Sequence, residues 1–292
     1  MAAPNTFQRL ARPKRRLTAG LALAALGAVL SSAPALAQGN VSTLGGTGTA
    51  GYVDGVKGTS QFSNPHGLAV RGDELFIADT GNNVVRRLRL GTTQAGTFVG
   101  GNRPVALVFD SSTNLFVANQ GDSTIGQFDF FGNAVALYRI PAVAGEITAL
   151  AIDRNDTIYV AQSRGVVLRL DADRQVAGQF GSVSASRDFR GVTVLDDGKV
   201  LVSDAANHVI WQLAESGLFT TVYAGQLGQH GDTDGDSRFG RLDSPRQIAA
   251  GPNGTVVIAD RGNHKIRVVS CTGVLSTLYG VDQDRWFTLN SP

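Results

Sequence analysis

Acidic side chains recur beside short turns and are the first candidates for chemistry. Asp79, Asp204 and Asp260 each end an apolar segment and precede a turn rich in Gly, Asn or Asp. Carboxylates held in register would suit acid–base catalysis or metal binding. A short carboxylate beside a turn also accepts backbone N–H groups that the turn leaves unpaired. Because these aspartates recur together with the turn, we expect the structural role.

Metal-binding and nucleophile motifs are weak in this sequence. Its four histidines are His66, His208, His230 and His264. No two of them have the helical or hairpin spacing of zinc ligands. The segment Asp232-Thr-Asp234-Gly-Asp236 resembles part of a calcium loop, but the equivalent loop near the start of the chain keeps only Asp54, so we expect a turn. Nucleophile-elbow and paired-carboxylate motifs are also missing. We therefore expect no metal, no cofactor and no catalytic residue.

The elements that position these residues come from a repeat. Five segments of the chain match one another, each with a small apolar strand, a turn and a β-branched or aromatic strand. The matched residues of the first strands are Leu68, Leu107, Leu150, Val192 and Ile248, which lie 39, 43, 42 and 56 residues apart. A period of about 40 residues is typical of propellers and solenoids.

Each repeat contains two further strand patterns. A third, alternating strand follows the aspartate turn, as in 84–88, 209–213 and 266–269, and a fourth follows it, as in 97–100, 220–224 and 273–278. Helical i, i+3, i+4 spacing is missing, so an all-β fold is predicted. Four-stranded sheets with apolar residues on both faces bury them by stacking radially, which predicts a β-propeller with one blade per repeat.

The first and fifth repeats resemble NHL repeats. The resemblance rests on 51–55, 61–70 and 76–86 in the first repeat and on 231–235, 239–245 and 257–267 in the fifth. It extends over essentially all of residues 38–292, although the second and third repeats carry Asn119 and Gln162 in place of the recurring aspartate. The resemblance implies a propeller whose loops bind a protein, a glycan or another ligand on one face of the ring.

The two ends of the repeat region predict how the ring closes. Val41-Ser-Thr-Leu44-Gly45 matches the fourth-strand segment Val274–Leu278, so we expect a closing outer strand at the N-terminus. Residues 285–292 repeat the pattern of 238–245, which leads into the first strand of the fifth repeat. We expect five blades plus the closing strand, in a six-bladed ring that is incomplete at its C-terminus. The alternative is a closed five-bladed ring.

Residues 1–37 have the features of an export signal. Five basic residues precede the apolar run 17–30, and Ala35-Leu-Ala37 matches a signal-peptidase site, so cleavage is predicted before Gln38. The run is too short for a membrane span, so no stable anchor is expected. Arg15-Arg16 leaves twin-arginine export open. Residues 38–292 form one domain with 21 basic and 24 acidic residues, and a net charge of −3 gives no reason to expect nucleic acid as a partner. The protein is predicted to be secreted or periplasmic.

The ring predicts one candidate binding site. The residues at the start of the first strands should surround the mouth of the central channel, and they are His66, Val105, Thr148, Arg190 and Arg246. His66, Arg190 and Arg246 would make this mouth positive, which suits a carboxylate or phosphate ligand. The alternative is a structural role, in which the arginine side chains lie over apolar surface at the rim of the channel or pair with neighbouring aspartates.

Two functions remain open from sequence. The first is a non-catalytic binding module for a protein, a glycan or a small anion. The second is a lyase- or lactonase-type propeller enzyme with its site at the channel mouth. The resemblance to zinc-dependent propeller lyases implies histidines from several blades, but only His66 occupies such a position.

Overall fold

The computed structural model describes residues 42–214 and 220–280. Its strands form five antiparallel sheets, each built from consecutive strands in chain order, and these sheets are the blades of a β-propeller. The predicted signal 1–37, Val41 and the C-terminal segment 285–292 lie outside the described residues. In the described ranges, the helical elements are two single 3₁₀ turns, Thr80–Asn82 and Pro252–Gly254.

The strand bounds repeat regularly from the innermost to the outermost strand of each blade. Blade 1 contains β1 (Pro65–Arg71), β2 (Glu74–Asp79), β3 (Val84–Arg89) and β4 (Ala95–Gly100). Blade 2 contains β5 (Pro104–Phe109), β6 (Leu115–Asn119), β7 (Thr124–Phe128) and β8 (Ala134–Arg139). Blade 3 contains β9 (Ile147–Ile152), β10 (Ile158–Gln162), β11 (Val166–Leu170) and β12 (Val176–Gly181).

The last two blades follow the same order. Blade 4 contains β13 (Phe189–Val194), β14 (Val200–Asp204), β15 (Val209–Leu213) and β16 (Thr220–Ala224). The short strand β17 (Gly235–Asp236) precedes blade 5, which contains β18 (Pro245–Ala250), β19 (Val256–Asp260), β20 (Lys265–Val269) and β21 (Val274–Tyr279). β17 pairs with the outer edge of β21 as a fifth strand.

Aspartates form the hairpin turns that the sequence predicts. The Asp110 carboxylate accepts the backbone N–H groups of Ser112 and Asn114, and Thr113 adopts a left-handed conformation with φ 70°. Asp129 and Asp153 make the same bonds in their own turns. These side chains replace hydrogen bonds that the reversing backbone cannot make with itself, so each turn is fixed locally.

The blades stack by burying both faces of each central sheet. β1 lies beside β5, β5 beside β9, β9 beside β13, and β13 beside β18. We call the side of a blade that meets the following blade its forward face. In blade 2 this face carries Val108, Phe116, Ala118 and Ile125, all at most 3% exposed. Burial of such side chains at about 25 cal/mol per Å² drives the stacking.

The ring is open between blades 5 and 1 within the described residues. The innermost strands of neighbouring blades lie side by side from β1 to β18, but β18 does not pack against β1 in this way. The forward face of blade 5 is partly exposed, and it carries Ala249, Val257, Ala259, Ile266 and Val268. On the opposite side of the gap, Leu68 is 38% exposed, whereas its four counterparts are at most 7% exposed. We call this gap the seam.

The seam rules out the closed five-bladed alternative for the described residues. An open seam is what an incomplete six-bladed ring requires, but a sixth blade would lie outside them and stays a prediction. Ser42–Gly45 pair with no strand among the described residues, but the last blade that they would complete lies outside these residues, so the closing strand also stays a prediction. This segment lies beside blade 1, where the Gly46 N–H donates to Ser60 Oγ at 3.0 Å.

The seam leads to a stability prediction. Leu68→Asp should lower the free energy of unfolding by about 1 kcal/mol or less, because the side chain is already partly in water. Leu107→Asp, at the same position of blade 2, should cost about 4 kcal/mol or more, since it buries a charge without a partner. Urea unfolding of both variants measures the difference. Equal losses would contradict an open seam.

Candidate ligand site at the channel mouth

The five predicted mouth residues occupy equivalent positions. Each is the second residue of an innermost strand, and each of these strands has a register irregularity within its first few residues. Such irregularities bend a strand and redirect the side chains near it. At the start of each innermost strand the regular sheet pairing is therefore interrupted, and the side chains there are directed toward this end of the channel.

Two of the five residues do not line an accessible mouth. Val105 and Thr148 are each 3% exposed. The Thr148 hydroxyl donates to the Ala161 carbonyl at 3.2 Å, and the Val105 carbonyl lies 3.0 Å from His66 Nδ1. The prediction was wrong for these two side chains, because they pack between neighbouring innermost strands.

The structure brings His66, Arg190 and Arg246 together from blades 1, 4 and 5. Burial lowers the pKa of His66 most, a bond to the Val105 carbonyl opposes this, and the positive charges of Arg246 and Arg190 lower it further. Because a carbonyl can only accept, Nδ1 carries the proton and Nε2 is the basic nitrogen. The two guanidinium groups are therefore close enough to the imidazole to act on it.

Sequence reasoning missed two charged members of this site. Burial lowers the pKa of Arg246 most, and the positive charges of Arg190 and Arg261 lower it further. Arg261 therefore lies near enough to Arg246 to add to the positive charge of the site. Asp188 opposes that effect, and its carboxylate lies 2.8 Å from Arg190 Nε. Arg261 directly follows Asp260, which pairs with Pro245, so strand register places it at the same end of the channel as Arg246.

We call His66, Arg190, Arg246, Arg261 and Asp188 the mouth cluster. Its positive groups outnumber its single carboxylate, which is already paired with Arg190. Arg246 Nε is buried and has no hydrogen-bond partner among the described residues. A buried guanidinium N–H without an acceptor is costly, so the site favours an added acceptor, and an anion supplies one with compensating charge.

Glycine sets the spacing between two of the arginines. A Cβ added at Gly191 would lie 2.6 Å from the Arg246 carbonyl oxygen and 2.9 Å from Gln247 Cα. These are backbone atoms, so no side chain can move aside to relieve the contact. Gly191 therefore allows β13 and β18 to approach closely, and this approach places Arg190 beside Arg246.

The recurring aspartates have the structural role that the sequence predicts. Asp79, Asp204 and Asp260 are all 0% exposed. Each accepts a backbone N–H from the segment before its blade and a side-chain N–H from the asparagine three residues later. They tie a loop to a blade and are unavailable to a ligand.

The cationic partners of two of these aspartates were not foreseen. Arg86 lies 3.2 Å from Asp79, and Arg267 lies 2.9 Å from Asp260, with all four side chains 0% exposed. Both arginines also donate to loop carbonyls and to a second aspartate, Asp54 or Asp234. In blade 4 the indole of Trp211 replaces the arginine and donates to Asp204 at 3.0 Å.

The segment that resembled a calcium loop is held by cations of the chain itself. Asp232 pairs with Lys265 and Arg267, and Asp234 pairs with Arg267. Within 42–214 and 220–280, no three His, Cys, Asp or Glu side chains are grouped closely enough to hold a metal ion.

Comparisons with known proteins agree with this architecture. The NHL repeat family matches residues 62–88 and 242–269, which lie in blades 1 and 5. The Arabidopsis thaliana protein SUPPRESSOR OF QUENCHING 1, chloroplastic, is 24% identical over 282 aligned residues, which cover 77% of this chain and 27% of that protein. This chain thus spans about a quarter of the length of that relative.

Solved structures share the fold at low sequence identity. A Bacteroides thetaiotaomicron protein of unknown function has a TM-score of 0.69 and 17% identity, covering 82% of this chain and 64% of its own. An auxiliary nutrient binding protein of Bacteroides ovatus has a TM-score of 0.64 and 16% identity, covering 79% and 61%. Virginiamycin B lyase of Staphylococcus aureus has a TM-score of 0.53 and 12% identity, covering 74% and 84%. The chain spans less than two thirds of the two Bacteroides proteins. With its five four-stranded blades, the chain is a β-propeller that carries NHL repeats in blades 1 and 5.

Proposed function

We propose that this protein is an exported, non-catalytic binding module that holds a small anionic ligand at the mouth cluster. The observation that carries the proposal is the Arg246 guanidinium, whose Nε is buried and has no hydrogen-bond partner among the described residues, beside the positive charges of Arg190 and Arg261. A carboxylate or phosphate group would accept from this guanidinium and reduce the repulsion between the arginines. Asp188 limits the site, because an added anion must share Arg190 with it.

Export and the absence of catalysis are parts of the same proposal. The signal-like residues 1–37 support a location outside the cytoplasm. In the described part of the chain, no helix is both long and apolar enough to cross a membrane. The likeness to an auxiliary nutrient binding protein is a likeness of fold, and it makes a small-ligand role reasonable without identifying the ligand. The lyase alternative has less support, because His66 is the single histidine of the mouth cluster.

The double variant Arg190→Ala, Arg246→Ala tests the site. A panel of dicarboxylates and sugar phosphates, with sulfate as reference, is titrated by calorimetry at low ionic strength. Affinity for the best ligand should fall at least tenfold, since each charge-assisted bond contributes about 1.5–3 kcal/mol. Added salt should weaken wild-type binding through screening.

A matched variant controls for loss of charge. Arg154 pairs with Asp196 at 2.6 Å, is 56% exposed and lies in the β9–β10 turn at the opposite end of the channel. Arg154→Ala should leave affinity unchanged. If the double variant binds every anion as tightly as wild type does, the proposed site is wrong.

Protonation of His66 should strengthen anion binding. The free protein has a His66 pKa below the ordinary 6.5, and a bound anion favours the protonated ring. Sulfate keeps one charge state in this range, so its affinity should rise as the pH falls through the His66 pKa of the complex and level off once the free ring is protonated. Calorimetry from pH 8 to pH 5 measures this rise, and His66→Gln should abolish it. The same rise in the variant would exclude His66 as its cause.

A further inference from the structure

The hairpin of β7 and β8 in blade 2 exposes more large apolar side chains than the described parts of the equivalent hairpins do. Phe130, Phe131, Val135 and Leu137 are 51%, 80%, 56% and 63% exposed. Phe130 and Phe131 contact each other edge to face, and the Arg71 guanidinium lies 4.2 Å from the centre of the Phe130 ring. Contiguous exposed apolar side chains of this kind mark interaction surfaces.

A groove of about 490 Å³ runs along the same hairpin. Its walls are β8 and the segment Gly100–Asn102, and Gly126 and Phe128 line it between them. Gly126 pairs with Leu137, so both lie on the face of the sheet that borders the groove. The Phe128 ring covers Gly126, since a Cβ added there would lie 2.9 Å from Phe128 Cε2, and Asn119 and Asp122 also line the groove.

Blades 1 and 5 show what fills the equivalent space. In blade 1 the loop before β1 runs along the outer strand, and Gly55 exchanges two backbone hydrogen bonds with Ala95, of 3.0 and 2.7 Å. In blade 5 the short strand β17 pairs Gly235 with Leu275. Ala95 and Leu275 are at the start of their outer strands, as Ala134 is in blade 2. The occupant of this edge is therefore an extended peptide that adds an antiparallel strand.

Blade 2 has no such peptide of its own among the described residues. Only Gly101–Arg103 connect β4 to β5, whereas residues 225–244 lie between β16 and β18. Three residues are too short to cross the outer strand and return, since an extended chain covers about 3.3 Å per residue. Within the described ranges, the edge of β8 thus keeps the unpaired N–H and C=O groups that allow strand addition.

Strand register also indicates the chemistry of the missing peptide. Gly126 pairs with Val117 in the position at which Arg86 pairs with Ile77 and Arg267 pairs with Ile258. In blades 1 and 5 the added peptide supplies Asp54 or Asp234 to that arginine. Blade 2 has no cation there, and the Phe128 ring covers Gly126. Asp122 also lines the groove, so an apolar side chain that contacts Phe128 and Leu137 would fit better than a second carboxylate.

We propose that the groove beside β8 binds an extended segment of a partner protein, which adds a strand at Ala134 and packs an apolar side chain against Phe128 and Leu137. This is β-strand addition, with backbone bonds providing affinity and the side-chain space providing selectivity. The site is on the outer edge of blade 2 and does not depend on the mouth cluster.

The test is selection of a phage-displayed random dodecapeptide library on the purified protein. Synthetic copies of the enriched peptides should protect the amides of 134–138 from hydrogen exchange. Their affinity should fall at least tenfold in Leu137→Asp, whose side chain is exposed enough for the fold to tolerate the charge. Phe128→Ala should weaken the selection for an apolar residue at one peptide position, because it removes the ring against which that residue packs.

Val274→Asp is the matched control, because Val274 is an exposed apolar residue on the outer strand of blade 5, where β17 already occupies the edge. This variant should bind the peptides as wild type does. The proposal is wrong if no peptide is enriched, if enriched peptides bind Leu137→Asp with unchanged affinity, or if protection appears elsewhere. Self-association through β8, seen as a dimer by light scattering that Leu137→Asp abolishes, would also overturn it.

Discussion

Arg267→Ala is expected to lower the free energy of unfolding by about 3–5 kcal/mol, because it leaves a buried carboxylate without its cation. Asp260 is 0% exposed, and burial raises its pKa, while bonds from Asn263 and the Asp243 N–H and the charge of Arg267 lower it. Removing the arginine should raise this pKa further. The deficit should therefore be full at neutral pH and shrink as the pH falls far enough to protonate Asp260.

Urea unfolding at pH 7 and pH 4.5 measures both effects. Arg238→Ala is the control, since Arg238 pairs with Asp236 in a bridge whose side chains are 69% and 44% exposed. Exposed pairs contribute about 0–1 kcal/mol. Equal losses in the two variants would contradict a structural role for the buried pair.

Gly191→Val should damage both the stacking of blades 4 and 5 and the mouth cluster. Its Cβ would meet the Arg246 carbonyl at 2.6 Å, so β13 and β18 must separate. We expect a loss of about 2 kcal/mol or more in the free energy of unfolding, which is typical of overpacking. We also expect anion affinity to fall at least tenfold, because Arg246 moves away from Arg190.

Gly96→Val distinguishes this effect from the general cost of replacing a glycine in a strand. A Cβ at Gly96 meets no atom within 4 Å. Thermal unfolding and sulfate calorimetry on the two variants should show losses for Gly191→Val alone. A Gly191→Val protein with wild-type stability and affinity would mean that the strands do not need this close approach.

The blade order could be predicted from sequence because each blade is local. The residues matched at Leu68 through Ile248 are in equivalent places in β1, β5, β9, β13 and β18, since alternating strands and aspartate turns form from neighbouring residues. The sequence pattern within one repeat does not show which blade lacks a neighbouring blade. The exposure of Leu68 depends on contacts across the seam and is visible only in the assembled ring.

The mouth cluster could be predicted only in part, for a related reason. His66, Arg190 and Arg246 were found by position, but the same rule chose Val105 and Thr148, whose side chains pack between strands. Arg86 and Arg267 were overlooked although a signal existed. The other blades have Gly126, Leu168 or Trp211 at the same position of the third strand. A charged residue at a position that is otherwise uncharged indicates that it has a buried partner of opposite charge.

Histidine NMR during a sulfate titration tests the central claim most directly. With four histidines in the chain, His66 can be assigned from the spectrum of His66→Gln. Sulfate bound at the mouth cluster should shift the ring resonances of His66 and raise its pKa, while the ring resonances of His208, His230 and His264 should not respond to sulfate. If calorimetry shows sulfate binding while the His66 resonances and pKa stay unchanged, the anion binds elsewhere and the proposed function fails.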